Sequence, residues 1–147
     1  MITITFPDGA KKEFEAGVNA LDIAKSISEG LARKVIAAKV NGEVWDATRP
    51  INQDAELILL TWNDTDGKKT FWHSSAHLMA EAVESAFPGV KFWVGPALDS
   101  GGFYYDMDLG DRKLSEEDLA SLEKKMNELA KTNSAYIRKE MPKAEAI

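Results

Sequence analysis

The sequence predicts an α+β fold in two parts, on three observations. Short runs with period-two alternation (ITITF, KKEFE, FYYDMDL) stand among longer runs with helical spacing (NALDIAKSISEGL, LSEEDLASLEKKMNELAK). An Asn-Gly pair, Asn41-Gly42, separates two β-rich runs and signals a tight hairpin. The polar, turn-rich stretch WNDTDGKK divides a strand-rich first part, residues 1–61, from a second part, residues 62–147, that opens on a helix.

In the first part, ITITF puts Ile2, Ile4 and Phe6 on one face of a strand. PDG turns the chain, and KKEFE runs back as the second strand of a hairpin. Asn19 can cap the helix that follows. Ala20, Ile23, Ala24 and Ile27 form its apolar stripe, and Gly30 is placed to end it. KVIAAKV, the Asn-Gly turn, EVWD and AELILLT supply three more strands. A hairpin, one helix and further strands within 61 residues is the element order of a β-grasp, ubiquitin-like fold.

The second part opens with a helix expected over residues 69–87, stopped before Pro88-Gly89. VKFWVGPAL reads as a strand and DSGG as a turn. FYYDMDL alternates, with Phe103, Tyr105 and Met107 on one side and Tyr104, Asp106 and Asp108 on the other. LSEEDLASLEKKMNELAK is an amphipathic helix. Ser115 is its cap, Asp118 the reciprocal capping residue, and Leu119, Leu122, Met126 and Leu129 its buried stripe. AYIRKEM is expected to be a last strand and KAEAI the start of another helix.

Composition narrows the function. With no cysteine, the chain has no disulfide and no thiolate metal site. The longest apolar run, LILL, is strand-sized, and no secretion signal precedes the first strand, so the expected location is the cytoplasm, with no membrane. A net charge of −6 disfavours binding nucleic acid by bulk electrostatics, so any such contact has to be local.

Both histidines, His73 and His77, fall in FWHSSAHLMAEAV, four residues apart. On a helix their rings share one face, beside an apolar arc of Trp72, Ala76, Met79, Ala80, Val83 and Phe87, with Glu84 in the same sector. An imidazole in that position can move a proton, orient a water or ligate a metal, and it can equally be a satisfied structural group. Zinc takes three or four protein ligands, so this pair would need carboxylates to complete a site. The residues between them, Ser74, Ser75 and Ala76, lack the general-base glutamate of a zinc protease. Neither serine sits on a strand-to-helix elbow. The four tryptophans are scattered and take no functional role in this reading.

FPDG, the VNGE turn, HSSAHLMAEAV, VGPALDSGGFYYDMDL and LSEEDLASLEKKMNELAK fall in the order found in threonyl-tRNA synthetases, and the chain resembles that family along its whole length. The resemblance implies that residues 1–61 are a β-grasp TGS domain and residues 62–147 the first part of an α+β editing domain. It implies a parent enzyme that joins threonine to tRNA(Thr) with ATP and hydrolyses seryl-tRNA made in error. One methyl group separates the two amino acids, worth only about 1–3 kcal/mol of discrimination at a binding site. His73 and His77 would serve editing, with Tyr105 a further contact. DSGGF carries one more glycine than many members, which leaves Tyr104 and Tyr105 as alternatives. The chain holds no cofactor in this reading. ATP with Mg and one zinc belong to a class II core outside these residues, along with the contacts of the expected homodimer. The fragment alone is expected to be inactive. The other readings are a TGS-type regulatory, ligand-binding module and a free-standing aminoacyl-tRNA editing hydrolase.

Overall fold

The computed structural model describes residues 1–146, which fall into two compact units. The first comprises Met1–Ala76 and Gly95–Tyr105, the second His77–Val94 and the residues from Asp106 onward.

A five-stranded mixed sheet organises the first unit. Its strands are β1 (Ile2–Thr5), β2 (Lys11–Phe14), β3 (Ala37–Val40), β4 (Glu43–Asp46) and β5 (Ala55–Leu60), in the order β2-β1-β5-β3-β4. β1 and β5 lie parallel at the centre and the other pairings are antiparallel. This is the β-grasp arrangement that the element order predicts. Alternation sets the faces: Ile2, Ile4 and Leu57 turn inward, while Glu56 faces water. Asn41 and Gly42 adopt φ of 49° and 85°, the left-handed pair that a two-residue hairpin needs between β3 and β4.

Helix α1 (Ala20–Ile27) covers the sheet with Ala20, Ile23 and Ala24. Ile4, Ile23, Ile51 and Leu57 are fully buried, each worth about 1.5–3 kcal/mol relative to an exposed side chain. Asn19 Oδ1 accepts from the Asp22 amide at 2.9 Å, the expected cap. The far end of α1 differs from expectation. Ser28, not Gly30, ends the helix: its backbone is extended, and its Oγ accepts from the amides of Gly30 and Leu31 to start a short helix, α2 (Glu29–Ala32), with Gly30 inside it. A serine can exchange one helical turn for a local cap in this way. Ile27, next to the break, is half exposed and drops out of the stripe.

Helix α3 (Thr65–Ala86) begins four residues before its expected start. Asp64 and Gly67, read as turn residues, instead build the junction. The Thr61 amide donates to Asp64 Oδ2 at 2.8 Å, the Asp64 amide donates back to the Thr61 carbonyl at 3.0 Å, and the Lys68 amide donates to the Asp64 carbonyl at 2.9 Å. A Cβ on Gly67 would lie 2.0 Å from the Thr61 carbonyl oxygen, so glycine is required there by close approach and not by a turn conformation.

The second unit carries the C-terminal half of α3, the two-residue strands β6 (Lys91–Phe92) and β7 (Met107–Asp108), and helices α4 (Glu116–Lys131) and α5 (Lys143–Ala146). Its core is small: Ala82, Val83 and Leu122 are buried, with half-buried Met79, Phe87, Met107, Met126 and Leu129 around them. Leu119, expected in the stripe of α4, is exposed. Ser115 and Asp118 form the full capping box. Asn133, at φ 52°, turns the chain out of the helix.

Two expected strands are corrected. Across VKFWVGPAL, Lys91–Phe92 alone forms a strand, and Ala97 makes one bridge to Phe103. Pro96 offers no N–H to a ladder, and Gly95 is occupied by a ring pressed against it. AYIRKEM forms no strand: residues 133–142 are irregular and Ile137 is 81% exposed, because no strand among the described residues presents its backbone to this run. α5 agrees with the expected terminal helix up to Ala146, and Ile147 of that expectation lies outside the described residues.

Two measurements check this account. Gly67→Ala should cost about 1–3 kcal/mol in urea unfolding, since the new methyl must displace backbone. Gly30→Ala meets only Ser28 Oγ, at 3.5 Å, and should be neutral or gain up to about 1 kcal/mol. Equal effects of the two substitutions would contradict the junction described.

The second check is acid titration. The Ser115 amide bond, supported by the Ser115 hydroxyl and Arg112, holds the Asp118 carboxyl below its ordinary value. A lowered folded-state pKa adds stability that is full above the unfolded-state value, about 3.9, and vanishes as pH falls through the folded value. The stability difference between wild type and Asp118→Asn should therefore shrink as pH drops from about 5 into the lowered range. A difference independent of pH would show that the carboxylate charge plays no part in the cap.

Candidate functional site

Helix α3 runs unbroken through both histidines, so their four-residue spacing sets the imidazoles one turn apart on one face. Both are exposed, and every residue of the apolar arc predicted beside them is buried or half-buried: Trp72, Ala76, Met79, Ala80, Val83 and Phe87. Ser75 Oγ donates to the Phe71 carbonyl at 2.8 Å, so that hydroxyl is used by its own helix.

The two histidines have different surroundings. His73 belongs to the first unit, as do Tyr104 and Tyr105. There the segment 97–103 closes a tight turn. The Gly101 amide donates to the Leu98 carbonyl at 3.1 Å, the Leu98 amide donates to the Gly102 carbonyl at 2.9 Å, and Gly101 and Gly102 take φ of 104° and 82°. Trp72 packs beside Gly101, where a Cβ would meet its ring at 3.5 Å. Lys69 Nζ reaches Asp99 Oδ1 of the same turn at 3.0 Å. The hydrogen bond to Asp99 and the Asp99 charge raise the Lys69 pKa above its ordinary value. Tyr105 lies against the backbone at Gly95, where a Cβ would fall 2.5 Å from its ring carbons. Tyr105 is thus half-buried and fixed, while Tyr104 is exposed. The alternation read from FYYDMDL survives as alternating burial, although Met107–Asp108 alone forms a strand.

His77 belongs to the second unit, where it lines a cleft of about 360 Å³ with Glu81, Leu129, Asn133, Ser134 and Tyr136. Glu81 follows His77 by one helical turn, which puts a carboxylate on the imidazole's side of α3. Among the described residues, no group of three or more His, Asp or Glu side chains could share a metal ion. No helix among them is long and apolar enough to cross a membrane.

The sequence reading passed over the tryptophans, and two of them form a cluster. Trp62 makes edge-to-face contacts with Phe71 (centroids 5.3 Å apart, planes at 83°) and with Trp72 (5.8 Å, 87°), and Lys68 Nζ lies 5.7 Å from the Trp62 ring centre. The signal was the helical placement of Phe71 and Trp72, which becomes visible once α3 is known to start at Thr65 and to return toward Trp62.

Residues 2–61 match the family model of the TGS domain. All 147 residues align with curated threonine–tRNA ligases: 60% identical in Cytophaga hutchinsonii, 53% in Porphyromonas gingivalis and 48% in Flavobacterium psychrophilum. The chain spans less than a quarter of the length of these relatives, 23%, 22% and 22% respectively. It carries a TGS domain at residues 2–61 and is similar throughout to the N-terminal regions of threonine–tRNA ligases.

Proposed function

We propose that these residues act within an enzyme that ligates threonine to tRNA(Thr) with ATP, and that residues 62–147 belong to the part of it that hydrolyses seryl-tRNA(Thr). Identity of 60% over all 147 residues supports this reading, and the observation that carries it is the pair of exposed imidazoles one turn apart beside a buried and half-buried apolar arc. A second, hydrolytic site answers a physical need in this reading, because a pocket for threonine rejects serine only by the loss of one methyl group.

Hydrolysis of the seryl ester requires a water oxygen to bond to the ester carbonyl carbon while the ribose oxygen leaves. The water gives up a proton and the ribose oxygen gains one. An exposed imidazole can accept the first and return it to the second. His73 and His77 are the groups assigned to this work. Tyr105, held against Gly95, is a fixed side chain suited to positioning, in preference to exposed Tyr104. Two imidazoles leave half of a tetrahedral zinc shell unfilled, so no step is assigned to a metal here. ATP, Mg, zinc and the homodimer contacts are assigned to the rest of the enzyme, and the whole is assigned to the cytoplasm. These 147 residues alone should catalyse neither aminoacylation nor threonine-dependent pyrophosphate exchange.

In the full-length enzyme, His73→Ala or His77→Ala should lower seryl-tRNA(Thr) hydrolysis by about 10²-fold or more, the scale of a positioned acid–base group. Threonyl-tRNA synthesis should stay nearly unchanged. Normal deacylation by folded variants would assign both histidines to structure instead.

A further inference from the structure

A cleft of about 560 Å³ opens in the first unit beside Trp62 and Phe71, walled by Arg33, Lys34, Ile36 and Asn63. Its size is that of a small-molecule site, about 300–1,000 Å³. Trp62 and Phe71 are 46% and 47% exposed, and large rings left half in water along a concave surface mark a place where something flat can bind.

The charge of the cleft departs from that of the chain. Its lining residues include Arg33 and Lys34 and no carboxylate, in a molecule of net charge −6. The acids that follow Asn63 along the sequence are engaged elsewhere: Asp64 accepts from Thr61 and Asp66 accepts from Lys39 Nζ at 3.1 Å. Lys68, near the Trp62 ring, brings a third cation within reach.

The walls are also preorganised. The junction bonds of Asp64 and the close approach of Gly67 fix the turn that bears Trp62 and Asn63. On the other side, the Ile36 amide donates to the Leu60 carbonyl at 2.8 Å and the Lys34 amide to the Leu31 carbonyl at 2.9 Å. Rigid walls reduce the ordering cost of binding.

We propose that this cleft binds a free mononucleotide, its base against Trp62 and Phe71 and its phosphate toward Arg33 and Lys34. Aromatic faces accept any base, guanidinium and ammonium groups favour a phosphate, and the Asn63 amide can both donate to and accept from a base edge. The net negative charge penalises a long polyanion far more than one phosphate, which favours the free nucleotide over a nucleic-acid strand. This assignment is independent of the editing role of His73 and His77.

The test is a titration of the 147-residue chain followed by ¹H–¹⁵N spectra, with AMP, GMP, adenosine, inorganic phosphate and a short single-stranded oligoribonucleotide as probes. AMP or GMP should shift the Trp62 indole N–H and the amides of residues 33–34 saturably, and adenosine and phosphate should each bind more weakly than AMP. Trp62→Ala should weaken nucleotide binding about tenfold or more, the scale of one lost base–aromatic stack. Arg33→Glu with Lys34→Glu, both at exposed positions, should do the same, and serves if Trp62→Ala does not fold. The proposal is overturned if neither mononucleotide gives saturable shifts, if the shifts map elsewhere, if the charge reversal leaves binding intact, or if the oligoribonucleotide binds and the mononucleotides do not.

Discussion

The close approach between Gly67 and the Thr61 carbonyl fixes where helix α3 begins, and much of the functional geometry follows from it. A Cβ at position 67 would stand 2.0 Å from that oxygen, so the first turn of the helix can lie against the end of β5 only because the side chain is absent. Asp64 completes the junction by accepting from Thr61 through its carboxylate and from Lys68 through its carbonyl. With the start set, the helical repeat determines the rest. Trp72 and Ala76 turn inward, while His73 and His77 face out. The same junction holds the turn that carries Trp62.

The two units rest on unequal cores. The first closes a five-stranded sheet with α1 and buries Ile4, Ile23, Ile51 and Leu57 completely. In the second, Val83 is the one large side chain fully buried among the described residues, and half-buried methionines and aromatics supply most of the packing. The capping box on α4, with Arg112 bonded to Asp118, strengthens an element whose buried stripe is thin. Trp93 and Ile137 are left 85% and 81% exposed.

Local chemistry made part of this legible in the sequence. Asn41-Gly42 and Asn19 each satisfy a backbone requirement within a few residues, and both behave as read. The arc beside the histidines was legible too, because a long helix averages over errors in its ends. The features that failed depend on partners distant in sequence. Residues 135–141 have strand composition and no neighbouring strand among the described residues. Gly67 looked like a turn glycine because nothing in the local sequence shows that the Thr61 carbonyl approaches it. Ser28 broke α1 ahead of Gly30, a competition between a side-chain cap and one more helical turn that composition does not decide. The cluster of Trp62, Phe71 and Trp72 stayed hidden for the same reason: its members meet only after the junction folds. As for the candidate site, the sequence located the histidines, and the structure added the exposure of both and the anchoring of Tyr105 on Gly95.

The central claim is that the Thr61–Asp64–Gly67 junction sets the register of α3 and so the presentation of its histidines. Amide hydrogen exchange in the wild-type chain and in Asp64→Ala tests it most directly. The account predicts that the Thr61 and Lys68 amides are protected in the wild type. It further predicts that Asp64→Ala lowers protection across residues 65–70 while the amides of α1 stay unchanged. Undiminished protection of residues 65–70 in Asp64→Ala would show that the helix start does not depend on this junction, and would contradict the account.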